Sequence, residues 1–155
     1  MNLLNCILFL IVSGIVIFFI GRIFPRKWIY ENRFPFRSFK WEKDGKFYNQ
    51  FKVKKWKTKL PDASLIISKF FPKLLPKKRI DGAKKEKVSV LIKESCVAES
   101  THVLSAIVGL YCAKLWRFWG AIVSAIWVVW NTLFIIIQRY NRPRLIVAQN
   151  KIQAV

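Results

Sequence analysis

Three long apolar runs, separated by polar and strongly basic segments, dominate the chain. They extend from Leu3 to Ile20, from about Val88 to Leu115, and from Phe118 to Ile137. A helix rises about 1.5 Å per residue, so each run is long enough to cross a hydrocarbon layer about 30 Å thick. The pattern predicts an all-α integral membrane protein with about three transmembrane helices.

The first run, within residues 1–21, is predicted to be a retained transmembrane helix. A cleaved signal peptide is the alternative interpretation. Against it, no basic residue precedes the run, the run is long for a signal peptide, and no small-residue cleavage site follows. The run is followed instead by the basic stretch Gly21–Trp28, which ends in an aromatic residue typical of a membrane interface.

Residues 22–87 form a basic, aromatic-rich segment between the first and second predicted helices. They contain 21 Lys and Arg residues against six Asp and Glu residues, which by the positive-inside rule places them in the cytoplasm. Residues 88–138 are then a two-helix membrane hairpin with its outer turn near Lys114–Arg117. The cationic C-terminal tail, residues 139–155, returns to the cytoplasmic side.

The partner of the basic segment is predicted to be membrane lipid. Within it, Asp44-Gly45 predicts a turn, and Pro61, Pro72 and Pro76 predict helix breaks. Aromatic residues mixed with lysines suit the headgroup layer of an anionic membrane. A net charge of +20 over 155 residues also fits single-stranded nucleic acid. We expect no nucleic acid as a partner, because a protein that binds nucleic acid would not need apolar runs at both ends of the chain.

The polar block Glu94–His102 opens the second apolar run and contains the only histidine of the chain. On a helix, Glu94, Glu99 and His102 fall on one broad face. Ionisable groups near a bilayer are costly and often functional, so this block is the candidate catalytic centre. A paired polar patch at the interface is the alternative. With one histidine and few carboxylates, we expect no metal and no cofactor.

A second polar cluster, Gln138–Arg144, follows the third run. Pro143 disfavours helical geometry at the residue before it, so the helix is predicted to end near Arg142. In the predicted topology this cluster and Glu94–His102 meet at the inner leaflet. The arginines either bind an anionic ligand or anchor the topology.

Three blocks of the sequence carry a resemblance to a known family. They are Phe36–Asn49 with Val53–Lys57, Glu94–Glu99 with His102, and Asn131 with Ile135–Leu145. These blocks resemble the glycosyl-4,4'-diaponeurosporenoate acyltransferases of staphyloxanthin-type carotenoid biosynthesis in Gram-positive bacteria. The chain departs from the family at Val97 and Leu133, where the family usually has arginine and proline.

The resemblance implies an enzyme of the cell membrane, a multi-pass acyltransferase of a Gram-positive bacterium. It implies esterification of the 6-hydroxyl of glucose on a glycosylated carotenoid, or another lipid-linked sugar, with a fatty acyl group. The acyl donor would be acyl-CoA or acyl carrier protein. A non-enzymatic membrane protein that binds lipid or scaffolds partner enzymes through its basic segment is the alternative.

Acyl transfer to a sugar hydroxyl requires a base for the hydroxyl proton. His102 is predicted to be that base, since its ordinary pKa lies near neutrality. Glu99 is predicted to fix the imidazole tautomer, as the acid of a catalytic triad does. Glu94 is predicted to bind a sugar hydroxyl or to pair with Arg139 or Arg142.

The predicted substrate-binding residues lie on and after the third run: Trp127, Trp130, Asn131, Gln138, Arg139, Tyr140, Asn141, Arg142 and Arg144. The arginines would hold the phosphates of the acyl donor. Trp127 and Trp130 would line a groove for a polyene, although simple helix packing is the alternative for these two rings.

Overall fold

The computed structural model describes residues 3–60 and 85–153, and every regular element in these ranges is helical. Helix α1 is Leu3–Ile23 and the short helix α2 is Val53–Trp56. The helical stretch Lys85–Gln153 contains two apolar segments, Glu86–Leu115 (α3) and Arg117–Ile152 (α4). Helices α1, α3 and α4 are each long and apolar enough to cross a membrane, which confirms the predicted fold class.

The chain reverses direction between α3 and α4. Arg117 has a positive φ of 47°, a conformation that interrupts a right-handed helix. Ser105 and Trp127 are hydrogen bonded although 22 residues separate them, a distance of about 33 Å along a straight helix. The two helices are therefore antiparallel, and the reversal coincides with the predicted turn near Lys114–Arg117.

The chain forms two compact units, of which the first consists of Met1–Ile29 and Ser95–Gln138. Its helices approach each other at small residues. A Cβ atom at Gly21 of α1 would clash with Thr101 of α3, and one at Gly14 would lie 3.7 Å from the indole of Trp127. Close approach at small residues is the usual packing mode of helices in lipid.

The polarity of the first unit is inverted relative to a water-soluble bundle. Its outward faces carry apolar side chains that are strongly exposed, including Val12 (58%), Ile107 (58%) and Ile126 (66%). Asn131 and Ser124 are buried, at 3% and 2% exposure. This distribution suits a surrounding of hydrocarbon, in which polar groups must find partners inside the protein.

The second unit consists of Tyr30–Glu94 and Arg139–Val155. Its described loop contains two 3₁₀ turns, Lys40–Glu42 and Lys46–Asn49, on either side of Asp44-Gly45. Asp44 and Gly45 have φ angles of 53° and 83°, which confirms the predicted turn. The helix breaks predicted at Pro61, Pro72 and Pro76 lie outside the described residues.

Helix α4 continues past Pro143, so the prediction that it ends near Arg142 is wrong. Proline removes one N–H from the helix ladder and usually kinks or ends it. Here the affected turn has other contacts. The carbonyl that loses its helix partner is that of Arg139, four residues before Pro143. Gly45 packs against it: a Cβ there would be 3.5 Å from the Arg139 oxygen and 3.3 Å from the Tyr140 oxygen, to which the Arg144 guanidinium donates.

Candidate active site

His102 of α3 and Asn131 of α4 face each other inside the first unit. The His102 Nδ1 atom lies 3.0 Å from Asn131 Oδ1. Asn131 is almost completely buried, whereas His102 retains partial exposure. The antiparallel helix pair thus places an amide beside the only imidazole of the chain.

The Asn131 amide is held in one orientation by its own helix. Its Nδ2 atom donates to the Trp127 carbonyl, one turn earlier, at 2.9 Å. The amide oxygen therefore faces His102, and an oxygen can only accept a hydrogen bond. The proton of a neutral His102 must then lie on Nδ1, which leaves the lone pair on Nε2. This is the tautomer that a general base acting through Nε2 requires.

Aromatic rings enclose the imidazole on the α4 side. Phe134 stacks on His102 with ring centroids 4.8 Å apart and an interplanar angle of 9°. Trp130 packs edge-to-face on Phe134 and is 41% exposed. The Trp127 indole N–H donates to the carbonyl and the hydroxyl of Ser105, both at 3.1 Å, which fixes Trp127 in the helix interface.

A second polar centre lies in the second unit around Glu42, which is only 2% exposed. Its carboxylate accepts the Phe39 N–H at 2.6 Å and the Tyr48 hydroxyl. Arg139 of α4 donates to both carboxylate oxygens at 3.1 Å. We refer to Phe39, Glu42, Tyr48 and Arg139 as the Glu42 clamp. It attaches the basic loop to the C-terminal part of α4.

Two arginines of the predicted cationic cluster also bind backbone carbonyls of this loop. Arg139 donates to the carbonyl of Pro35 at 2.6 Å. Arg142, itself 2% exposed, donates to the carbonyl of Phe36 at 2.8 Å. Both guanidinium groups therefore have a structural role in holding the loop.

The next cation, Arg144, is exposed and lies beside Lys57. The Arg144 guanidinium carbon is 3.5 Å from the centroid of the Tyr140 ring, and the Lys57 ammonium is 4.8 Å from the same centroid. Arg144 also donates to Asn49 Oδ1 at 3.1 Å, and Lys57 to Asn141 Oδ1 at 2.8 Å. Burial, followed by the charges of Arg144 and Lys54, lowers the pKa of Lys57.

Comparison with known proteins identifies the family. The family model for glycosyl-4,4'-diaponeurosporenoate acyltransferase matches residues 25–151. The chain belongs to this family. Relatives of that name from Staphylococcus aureus strains bovine RF122 / ET3-1 and N315 are 29% identical to it over 141 residues, which is 90% of this chain and 83% of each relative. No solved structure matches the chain.

Membership of the glycosyl-4,4'-diaponeurosporenoate acyltransferase family makes the protein an acyltransferase. The matched range includes the His102–Asn131 pair and the Glu42 clamp, whereas α1 lies before it. The chemistry-bearing residues of both units therefore belong to the part of the chain that the family shares.

The structure changes the expected surroundings of the catalytic candidates. The hydrogen-bond partner that it gives His102 is Asn131, whereas the sequence favoured Glu99. Glu99 is buried on α3, one turn before His102, and its role stays a prediction. The pairing of Glu94 with an arginine also stays a prediction, and the ion pair described for Arg139 is with Glu42 at 3.1 Å.

Sequence reasoning missed Glu42 and Lys57. Glu42 has a local signal, because an acidic residue three positions after a helix-capping position commonly accepts the capping N–H, here that of Phe39. Lys57 has no such signal, since it is one of many lysines in the loop. Gln138, a predicted substrate-binding residue, is half-buried on the first-unit part of α4.

Proposed function

We propose that this protein is a membrane-bound acyltransferase that esterifies a sugar hydroxyl of a lipid-linked carotenoid glycoside with a fatty acyl group. Its family, and the name carried by its Staphylococcus aureus relatives, support this reaction. The three apolar helices and their exposed apolar faces support a multi-pass location in a membrane. The Staphylococcus aureus relatives support the cell membrane of a Gram-positive bacterium.

The observation that carries the proposal is the hydrogen bond between His102 Nδ1 and Asn131 Oδ1. With the proton on Nδ1, the Nε2 lone pair accepts the proton of the sugar hydroxyl. The hydroxyl oxygen attacks the carbonyl carbon of an acyl thioester, and an ester C–O bond forms as the C–S bond breaks. The imidazolium then returns its proton to the leaving thiolate, which restores the neutral histidine.

Asn131 supports this cycle from the side of His102 that faces away from substrate. Its amide oxygen stabilises the Nδ1 proton in both the neutral and the cationic imidazole. A histidine oriented by an asparagine is an established variant of the catalytic triad. Glu99 is proposed to contribute to the same centre from the preceding turn of α3, and Glu94 to bind a sugar hydroxyl.

The acceptor and the donor are proposed to use different residues. The exposed Trp130 ring, packed edge-to-face on Phe134, is suited to contact a polyene. Trp127 is better explained by helix packing, because Ser105 fixes its indole. The donor, acyl-CoA or acyl carrier protein, would bring phosphate to the cationic end of α4. Tyr140, Asn141 and Gln138 remain proposed substrate contacts there.

Lipid analysis of cells with and without the gene tests the proposal. Lipids extracted from a host that accumulates the glycosylated carotenoid are compared by mass spectrometry. We expect the acylated glycoside only in cells that carry the wild-type gene, and only the unacylated glycoside with His102→Ala at equal protein level. Unacylated glycoside alone in wild-type cells would contradict the assigned reaction.

A further inference from the structure

The pair formed by Lys57 and Arg144 has an unusual arrangement of like charges. The Lys57 ammonium and the Arg144 guanidinium lie 4.8 Å and 3.5 Å from the centroid of the Tyr140 ring, so at most about 8 Å separates the two charges. This separation is comparable to the Debye length at physiological ionic strength, about 8 Å, so salt screens the repulsion between the two cations only in part. Burial and the neighbouring cations lower the pKa of Lys57, as expected where the local field opposes its charge.

The protein holds these two side chains in place by neutral contacts. Asn141 accepts a hydrogen bond from Lys57, and Asn49 accepts one from Arg144. Arg144 also donates to the Tyr140 carbonyl. The contacts described for the pair contain no carboxylate, in contrast to the nearby pairing of Arg139 with Glu42. Amides and a ring can orient a cation without neutralising it.

Lys57 and Arg144 both have N–H groups that the described hydrogen bonds do not use. An ammonium has three N–H groups and a guanidinium has five, whereas the described contacts use one of Lys57 and two of Arg144. Arg144 is exposed and Lys57 is half-exposed, so a ligand can reach both. Lys52, Lys54 and Lys55 are exposed on the same loop and add to the positive potential around the pair.

We propose that Lys57 and Arg144 form a binding site for the phosphate group of a ligand. A phosphate oxygen between the two cations replaces their repulsion with two charge-assisted hydrogen bonds, and Arg144 offers a planar, bidentate geometry. The two donors are already oriented, so little side-chain entropy is lost on binding. The phosphate belongs either to a soluble nucleotide-type donor such as coenzyme A or to an anionic lipid headgroup.

This inference rests on the proposed function only for the identity of the phosphate carrier, and its test needs no turnover. The purified full-length protein is placed in phosphatidylcholine nanodiscs, and free coenzyme A is titrated by calorimetry. In a second arm, without coenzyme A, the nanodiscs contain phosphatidylglycerol. In both arms, protection of Lys57 from acetylation is measured by mass spectrometry, with Lys55, two residues earlier in α2, as the internal reference.

We expect Lys57 to be protected several-fold more than Lys55 in one of the two arms, and the arm identifies the source of the phosphate. Where coenzyme A binds, Lys57→Gln and Arg144→Gln should each weaken its affinity by about tenfold or more, the value of one charge-assisted hydrogen bond. The matched variant Lys55→Gln should weaken it less than about fivefold, as expected of an exposed charge.

Equal protection of Lys57 and Lys55 in both arms would overturn the site, even if the variants fail to fold, because this measurement uses the wild-type protein. Equal losses of coenzyme A affinity in Lys57→Gln and Lys55→Gln would overturn it as well. Ester formation by the wild-type protein is measured separately and could still be observed after either result. Failure of the phosphate site is therefore distinguishable from failure of the proposed reaction.

Discussion

Replacing Glu42 by glutamine should release the basic loop from α4. The side chain keeps its shape but loses its charge, and an NH₂ group replaces one of two oxygens that accept from Arg139, the Phe39 N–H and the Tyr48 hydroxyl. Removing one partner of a buried ion pair typically costs about 3–5 kcal/mol. The Arg139 side chain is 13% exposed, so we expect the lower limit, about 3 kcal/mol.

A loss of about 3 kcal/mol raises the population of the open loop by about 10²-fold. Trypsin cleaves after lysine and arginine, and cleavage that requires local opening follows this population when reclosing is fast. The initial rate of cleavage within residues 33–46, measured on protein in nanodiscs, should therefore rise by about 10²-fold in Glu42→Gln. The matched control is Asp44→Asn, an exposed residue that loses the same charge and tolerates the same φ of 53°.

The Glu42 clamp would be refuted as the attachment of the loop if Glu42→Gln were cleaved within about twofold of Asp44→Asn. A large effect of both variants would instead indicate that net charge controls access of the protease. Tyr48→Phe offers an intermediate step, because it removes a single hydrogen bond to the carboxylate, worth about 1.5–3 kcal/mol.

Three further predictions concern packing, tautomer and pH. Gly21→Ala should unfold at a lower temperature than Gly14→Ala, because the methyl group added at Gly21 clashes with α3, at a cost of about 1–3 kcal/mol, whereas the one added at Gly14 does not clash. Equal unfolding temperatures would contradict the close approach of α1 and α3 at Gly21. In ¹⁵N-histidine-labelled protein, NMR should show the Nδ1–H tautomer of His102, and Asn131→Leu should increase the fraction of the Nε2–H tautomer. An unchanged ratio of the two tautomers would show that Asn131 does not orient the imidazole. Burial, followed by nearby cations, lowers the pKa of Lys57 below 10.5, so just below that pH the unfolded state binds more protons than the folded state. The free energy of unfolding should therefore rise with pH there, and Lys57→Met should abolish the rise in a chemical-denaturation series. An identical rise in the variant would contradict the direction of the pKa shift.

The helices could be predicted because their signal is local. Each apolar run exceeds the length needed to cross a bilayer, and backbone groups in lipid must be satisfied within the helix. The turn at Asp44-Gly45 was predictable for the same reason, since its backbone geometry depends on its own residues. The continuation of α4 past Pro143 was not, because the side chain of Arg144 and the backbone of Gly45 contact that turn.

The partners of the polar side chains could not be predicted, because they are distant in sequence. His102 and Asn131 are 29 residues apart, and Glu42 and Arg139 are 97 apart. The sequence identified the histidine from its rarity near a bilayer and grouped Asn131 with the substrate contacts. It could not pair the two, because their contact depends on the register of α3 against α4. Helical spacing favoured Glu99 instead, since it considers neighbours on one helix only.

Ester formation by purified protein tests the role of His102 most directly. Wild type, His102→Ala and Thr132→Ala are compared in nanodiscs with a glycosylated carotenoid and an acyl-CoA, under single-turnover conditions. Thr132 is a suitable control, because it is exposed on α4 next to Asn131 and its described hydrogen bond lies within its own helix, to the Val128 carbonyl. We expect His102→Ala to form ester about 10²–10⁴-fold more slowly than wild type, the usual contribution of a general base, and Thr132→Ala to match wild type. Ester formation by His102→Ala within about threefold of wild type would contradict the assignment of His102 as the base.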